Sequence, residues 1–215
     1  MPNYAWNTMT MKCRDFKAFV ANRDTNCDAR DTVDFNVLIP KPNDISPVSG
    51  TETDRAFLYF TSNHGTLSWE ETLRNSNNAL APFDRYIYDI LIERIKEGKV
   101  SDEEGEALYK QGEELHKIAL KYGAYDWYDW CYKNWGTKWN AFDFELEYDD
   151  EEDDGNICFK FTTAWGAPEE WIKELSRHCD FDIYTDIEGY ESRYKYVCEN
   201  GVLRAYKTEY VEFDI

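Results

Sequence analysis

Six consecutive carboxylates, Asp149, Asp150, Glu151, Glu152, Asp153 and Asp154, are the residues of this chain whose type and spacing most invite a chemical reading. Held in a turn between two strands, like charges repel one another and favour a solvated tip. Presented outward, the same carboxylates imitate the spaced charges of a nucleic-acid backbone and are drawn to a basic groove on another protein. Glu145 and Glu147, on the strand leading into the run, are expected to extend that surface. A calcium loop does not fit, because the acids are contiguous and Gly155 follows them instead of sitting among them.

Other chemistries have less to stand on. His64, His116 and His178 are scattered, and no CxxC or HxxxH pair occurs, so no metal site is expected. His178 and Cys179 are adjacent, but a histidine closing a helix is accounted for by the helix dipole. No GxSxG, P-loop or GxGxxG string is present, and no cofactor or catalytic residue is assigned. Asp126, Asp129 and Asp143 keep open one alternative, a small enzyme of unknown reaction with a carboxylate pocket. An aromatic cluster, including Tyr125, Tyr128, Tyr132 and Trp135, reads mainly as packing. Within it Trp127 and Trp130 are candidate partner anchors, since tryptophan is favoured at binding hot spots.

The whole chain has the same sign as its acidic run. Over 215 residues, 24 Lys and Arg stand against 43 Asp and Glu, a formal net charge of −19. Such a field repels phosphate backbones and anionic lipid, so neither direct nucleic-acid binding nor membrane binding is expected. The expected partner is a basic host protein or nucleoprotein complex. With 42% hydrophobic and 17% aromatic residues there is material for a core, so disorder is not the expected state. The start Met1-Pro2-Asn3-Tyr4 has no signal-peptide pattern, and no run of about 18 apolar residues exists. The six cysteines are too sparse for a disulfide scaffold. A location in the host-cell cytoplasm is expected.

The elements that must position these residues follow from periodicity. Alternation over 4–12 predicts a strand, and Phe16, Phe19 and Val20 a short helix after it. Residues 43–80 are loop-like or poorly patterned, and their structure is left unassigned. Phe83, Ile87, Leu91 and Ile95 lie at helical spacing. Ser101 and Glu104 form a capping box for a helix ending at Gly123, and a third helix ends at Gly136. Along 141–148, Phe142, Phe144, Leu146 and Tyr148 alternate with Asp143, Glu145 and Glu147, predicting a strand with one core face and one wet face. A returning strand starts at Ile157, a helix opens at Pro168, and Phe181 to Ile187 alternate as another strand. Asn200-Gly201 closes a C-terminal hairpin. The sum is an α+β fold in a single domain over 1–215. Its ferredoxin-like βαββαβ core carries a mostly helical insertion over 43–135 and the added hairpin.

Several segments carry a resemblance: Met1-Pro2-Asn3 with Asn7, Phe35–Pro42, Asn134–Asn140, Phe161–Trp165 with Pro168, and Arg193–Tyr196 with Asn200-Gly201. Together they resemble the YubB-like ferredoxin-like family of phage and plasmid proteins, and Asn134-Trp135-Gly136-Thr137-Lys138-Trp139 is the most specific stretch. The resemblance implies a fold and a mobile-element origin, and supplies no catalytic residue. Structure accounts for that stretch better than chemistry, with Gly136 as a left-handed helix cap. The functional expectation is a non-enzymatic acidic protein that inhibits a host nucleic-acid-handling defence complex, for example a CRISPR effector, by imitating nucleic acid. A small enzyme and a structural or regulatory accessory protein are the alternatives.

Overall fold

In the computed structural model, residues 3–22, 32–45, 47–63, 90, 93–94, 97–99, 101–149, 155–189 and 192–209 are described. They fall into two compact units, residues 1–41 with 131–215 and residues 42–130. The helix expected over 83–95 lies almost wholly outside the described residues.

In the first unit, β1 (Tyr4–Lys12) buries Ala5, Asn7, Met9 and Met11 and turns Tyr4, Trp6, Thr8, Thr10 and Lys12 the other way. That is the period-2 alternation of a strand covered on one face. Helix α1 (Cys13–Phe19) follows directly and buries Phe16. The short strands β2 (Ala21–Asn22) and β3 (Thr32–Val33) pair with each other, and a 3-10 turn covers Phe35–Val37. After the second unit come β4 (Phe142–Asp149), β5 (Asn156–Ala164), a helix over Glu169–Leu175, then β6 (Phe181–Ile187), β7 (Ser192–Glu199) and β8 (Val202–Glu209).

Among the described residues, one sheet has the order β4-β5-β1-β6-β7-β8, with every neighbouring pair antiparallel. Its first four strands with two helices are the ferredoxin-like βαββαβ arrangement. The β7–β8 hairpin widens it, turned by Asn200 and Gly201 at φ 52° and 73°, the positive pair a tight hairpin turn requires. Trp171, Ile172 and Leu175 of the 169–175 helix are fully buried. Phe16 packs at 4.7 Å from Phe159 and 6.1 Å from Phe144, and Phe35 at 4.8 Å from Trp171.

Strand β4 departs from its sequence pattern. Register shifts against β5 fall between Phe142 and Glu145 and again between Leu146 and Tyr148. Asp143, at φ 54°, sits in the first. Each bulge inserts a residue and reverses which side chains face inward. Phe144 therefore packs on the core while Phe142 meets Tyr4 edge-on at 5.7 Å on the opposite face, and Leu146 and Tyr148 are exposed. The expected single apolar face is split.

The second unit is built on α2 (Thr51–Asn63) and α3 (Asp102–Tyr122). Ala56 and Phe57 pack against Leu108 and Leu115. A Cβ placed on Gly112 would lie 2.2 Å from the Ala56 carbonyl oxygen, so the two backbones touch where only glycine fits. Ser101 Oγ accepts from Glu104 N at 3.3 Å, the N-cap half of the expected box. The Glu104 carboxylate instead pairs with Arg55. Gly123 ends α3 at φ 71°. Helix α4 (Trp127–Trp135) follows, so the 169–175 helix is α5. No helix among the described residues is long and apolar enough to cross a membrane.

Candidate functional site

The side of the sheet away from α1 and α5 carries a register row that crosses all six strands: Glu145, Lys160, Thr8, Tyr184, Lys195 and Tyr206. Directly paired residues share a face, so their charges meet. Glu147 binds the Lys160 ammonium, and that hydrogen bond, with Glu145 nearby, raises the Lys160 pKa. Arg193 grips Asp186 through two bonds of 2.8 Å each. Lys195 lies 3.5 Å from Asp182 and 4.8 Å from the centre of the Tyr184 ring. In a chain with nearly twice as many acids as bases, three carboxylates of this face, Glu147, Asp182 and Asp186, each meet a cation. Glu145 and Glu147 are where the sequence places them, on the wet side, but beside a cation. Asp149 closes β4, and Asp150, Glu151, Glu152, Asp153 and Asp154 lie outside the described residues.

The tryptophans separate. Trp130 is buried at 5% exposure, so its indole belongs to packing; Trp127 is half-buried and meets Tyr128 edge-on at 6.0 Å. Asp126 is buried too. It caps α4 by accepting from Asp129 N at 2.9 Å, and burial pushes its carboxyl pKa above the usual value, against hydrogen bonds from Asp129, Ser49 and Tyr128. Asp143 sits exposed at the β4 bulge. His116 packs against Phe57 and Phe60, and His178 lies beside Glu174 at 3.3 Å, while His64 lies outside the described residues. Among the described residues no cluster of three or more histidines, cysteines and carboxylates could hold a metal.

What the structure does bring together is a cleft of about 370 Å³ in the first unit, within the roughly 300–1,000 Å³ of ligand pockets. Its construction explains the motif stretches. Gly136 ends α4 at φ 82°, and a Cβ there would stand 2.7 Å from Glu169 N, so the end of α4 touches the first turn of α5. Thr137 Oγ1 donates to the Ala164 carbonyl at 2.9 Å and accepts from Ala164 N at 3.2 Å, tying that end to β5. Trp135 Nε1 donates to the Ile39 carbonyl, and Asn140 Oδ1 accepts from Phe35 N, both at 2.9 Å. Lys138 holds its ammonium 4.9 Å from the Trp139 ring centre and 5.3 Å from that of Trp165. Asn134 is half-buried in the last turn of α4.

The opposite wall hangs from a buried polar chain. Asn7, fully buried, donates to Thr163 Oγ1 at 2.9 Å and accepts from Thr185 Oγ1 at 2.8 Å. Thr163 Oγ1 donates in turn to the Gly166 carbonyl at 2.7 Å. This holds Trp165 at φ 71°, a backbone region that costs a bulky residue about 1–3 kcal/mol, with its ring 40% exposed on the cleft. Glu169 and Glu170 line the cleft from α5, and Tyr194 and Tyr196 from β7. Tyr196 donates to Glu169 Oε1 at 2.7 Å, and burial with that acceptor raises its phenol pKa far above the ordinary value.

Trp165, Gly136 and Tyr196 belong to motif strings of the sequence, but nothing in the sequence groups them or points to Glu169 and Glu170. They stand far apart in the chain, and only the β5–α5 connection and the β7 register bring them together. No curated protein matches the chain. The crystal structure of a protein api92 from Yersinia pseudotuberculosis is similar over 100% of both chains, at 10% identity and a TM-score of 0.42. Residues 134–213, which hold β4 to β8 and every described lining residue of the cleft except Tyr132, match the family described as "Ferredoxin-like domain in Api92-like protein", which carries the ferredoxin-like part of the expected resemblance and not its YubB-like part.

Proposed function

We propose that this chain is a non-catalytic binding protein of a phage or plasmid, the mobile-element origin being what its resemblance to the YubB-like family implies. It occupies a basic, nucleic-acid-binding groove of a host defence complex such as a CRISPR effector. One observation supports this reading most: the chain keeps a net charge of −19, while Glu147, Asp182 and Asp186 of the sheet's outward face are met by Lys160, Lys195 and Arg193. The excess must therefore be carried elsewhere, and its densest stretch is Asp149–Asp154, which joins edge strand β4 to β5. Six carboxylates within one connection offer a cationic groove a spacing that a phosphate backbone also offers. Long-range attraction speeds such a capture and weakens with salt, screening acting over about 8 Å at physiological ionic strength.

The test is displacement of a labelled duplex from a CRISPR effector complex, at low and high salt. The comparison is with a variant carrying Asn or Gln at all six positions 149–154. The unmodified chain is expected to displace the duplex at low salt and far less at high salt, and the variant to fail at both. Displacement indifferent to salt, or equal for the variant, overturns the proposal. The cleft favours an enzyme as second reading. Its lining, among the described residues, offers Glu169, Glu170 and tyrosines as the groups that could act. Tyr196 and Lys173 already engage the two carboxylates, which suits binding better than turnover.

A further inference from the structure

We infer that the cleft between the end of α4, the β5–α5 connection and β7 takes the guanidinium of an arginine side chain presented by a partner. It deepens the proposed function in that a basic partner would supply the arginine, but its chemistry belongs to the cleft alone.

The walls match the two demands of a planar cation. Aromatic faces come from Trp165 and Tyr132, 40% and 45% exposed, with Tyr194 beside them. Rings so placed attract a cation through their quadrupole, most strongly where water is partly excluded. The molecule sets one of its own ammonium groups, that of Lys138, 5.3 Å from the Trp165 ring centre. Carboxylates come from Glu169 and Glu170 in the first turn of α5. Glu169 is held in place by Tyr196, and Glu170 also meets Lys173 at 2.6 Å, an exposed i,i+3 pair that solvent screens. A guanidinium satisfies rings and carboxylates together, because it stacks flat and presents its N–H groups in a fork that fits a carboxylate. An anionic ligand would meet two carboxylates, the nearby Lys138 and Lys173 ammonium groups being already engaged with Trp165 and Glu170, and a purely apolar one would leave the carboxylates desolvated.

Two substitutions empty or fill the cleft without disturbing its frame. Trp165 already occupies φ 71°, so Trp165→Gly suits the backbone while removing the largest ring. A Cβ added at Gly166, which lines the cleft, meets nothing within 4 Å, so the side chain of Gly166→Leu starts in open space. The probe is N-acetyl-arginine amide, titrated into the full chain and followed by NMR chemical shifts, with N-acetyl-citrulline amide as the neutral isostere. Saturable binding of the arginine compound is expected. Citrulline, Trp165→Gly and Gly166→Leu should each weaken it at least tenfold, while the variant neutralised at 149–154 retains it. Absence of saturable binding, equal binding of citrulline, or variants that bind like the parent overturns the inference. Retained arginine binding alongside failed duplex displacement leaves the cleft's assignment standing and removes only the defence-complex reading.

Discussion

At the scale of single residues, Asp126 and Gly136 show how one position is fixed by opposed terms. Asp126 caps α4, yet burial raises its carboxyl pKa above the usual 3.8. A raised folded-state value means the folded chain holds that proton more tightly than the unfolded one. Its contribution to stability is therefore complete below about pH 3.8 and is lost as pH rises through the folded value. Asp126→Asn keeps an oxygen for Asp129 N and removes the charge. In urea titrations it should be more stable than the parent at pH 7, with the advantage shrinking toward pH 4; an advantage constant across that range would refute the assignment. Gly136 tells the opposite story. A methyl there would combine φ 82° with a 2.7 Å approach to Glu169 N, so Gly136→Ala should cost at least about 1–3 kcal/mol in denaturant unfolding. The sequence signals Gly136 as a helix stop, because a glycine after an apolar-periodic stretch has few other uses. Nothing in the sequence signals the backbone conformation of Trp165, whose positive φ sits among the Asn7–Thr163–Gly166 hydrogen bonds and the bond from its own N to the Asn3 carbonyl.

Elements were legible wherever one covered face writes a clean period, and illegible where contact with another element decides. Strand β1, helix α3 with Ser101 and Gly123, and the Asn200-Gly201 hairpin each follow from pattern and turn chemistry. Helix α2 does not: residues 51–63 include Thr51, Thr53 and Thr61, poor helix formers, and among its described side chains the buried apolar ones are Ala56, Phe57 and Phe60. It is held by α3 at Gly112, where a Cβ would come within 2.5 Å of the Phe60 Cβ and 2.2 Å of the Ala56 carbonyl. Gly112→Val should therefore separate the pair. Loss of helical circular dichroism exceeding what one propensity change explains (about 1 kcal/mol or less) is the expected signature, and unchanged helicity and melting would show that α2 stands alone. Strand β4 failed differently. Its alternation is perfect in sequence, and two bulges undo it, because register against β5 is set by a partner the strand's own residues cannot announce.

For the whole molecule, charge is the quantity that sequence and structure weigh differently. The sequence gives −19 as one number and leads to an expected acidic sheet face. The register shows that face pairing acid with base instead, through contacts such as Lys160 with Glu147 and Arg193 with Asp186. Exposed pairs of this kind are worth little each, about 0–1 kcal/mol. They do not cancel the self-repulsion of the remaining acids, which a compact chain feels more than an expanded one. The melting temperature should accordingly rise with sodium chloride, since screening relieves repulsion that the unfolded chain avoids by spreading. Neutralising residues 149–154 removes six negative charges and ought to raise the low-salt melting temperature and flatten its dependence on salt. Thermal melts of parent and variant from 10 mM to 0.5 M salt decide the point. If the two curves run parallel, the six carboxylates are not a principal source of the strain. If they converge as salt rises, the same repulsion that destabilises the free chain at its acidic connection is what a basic groove would relieve on binding.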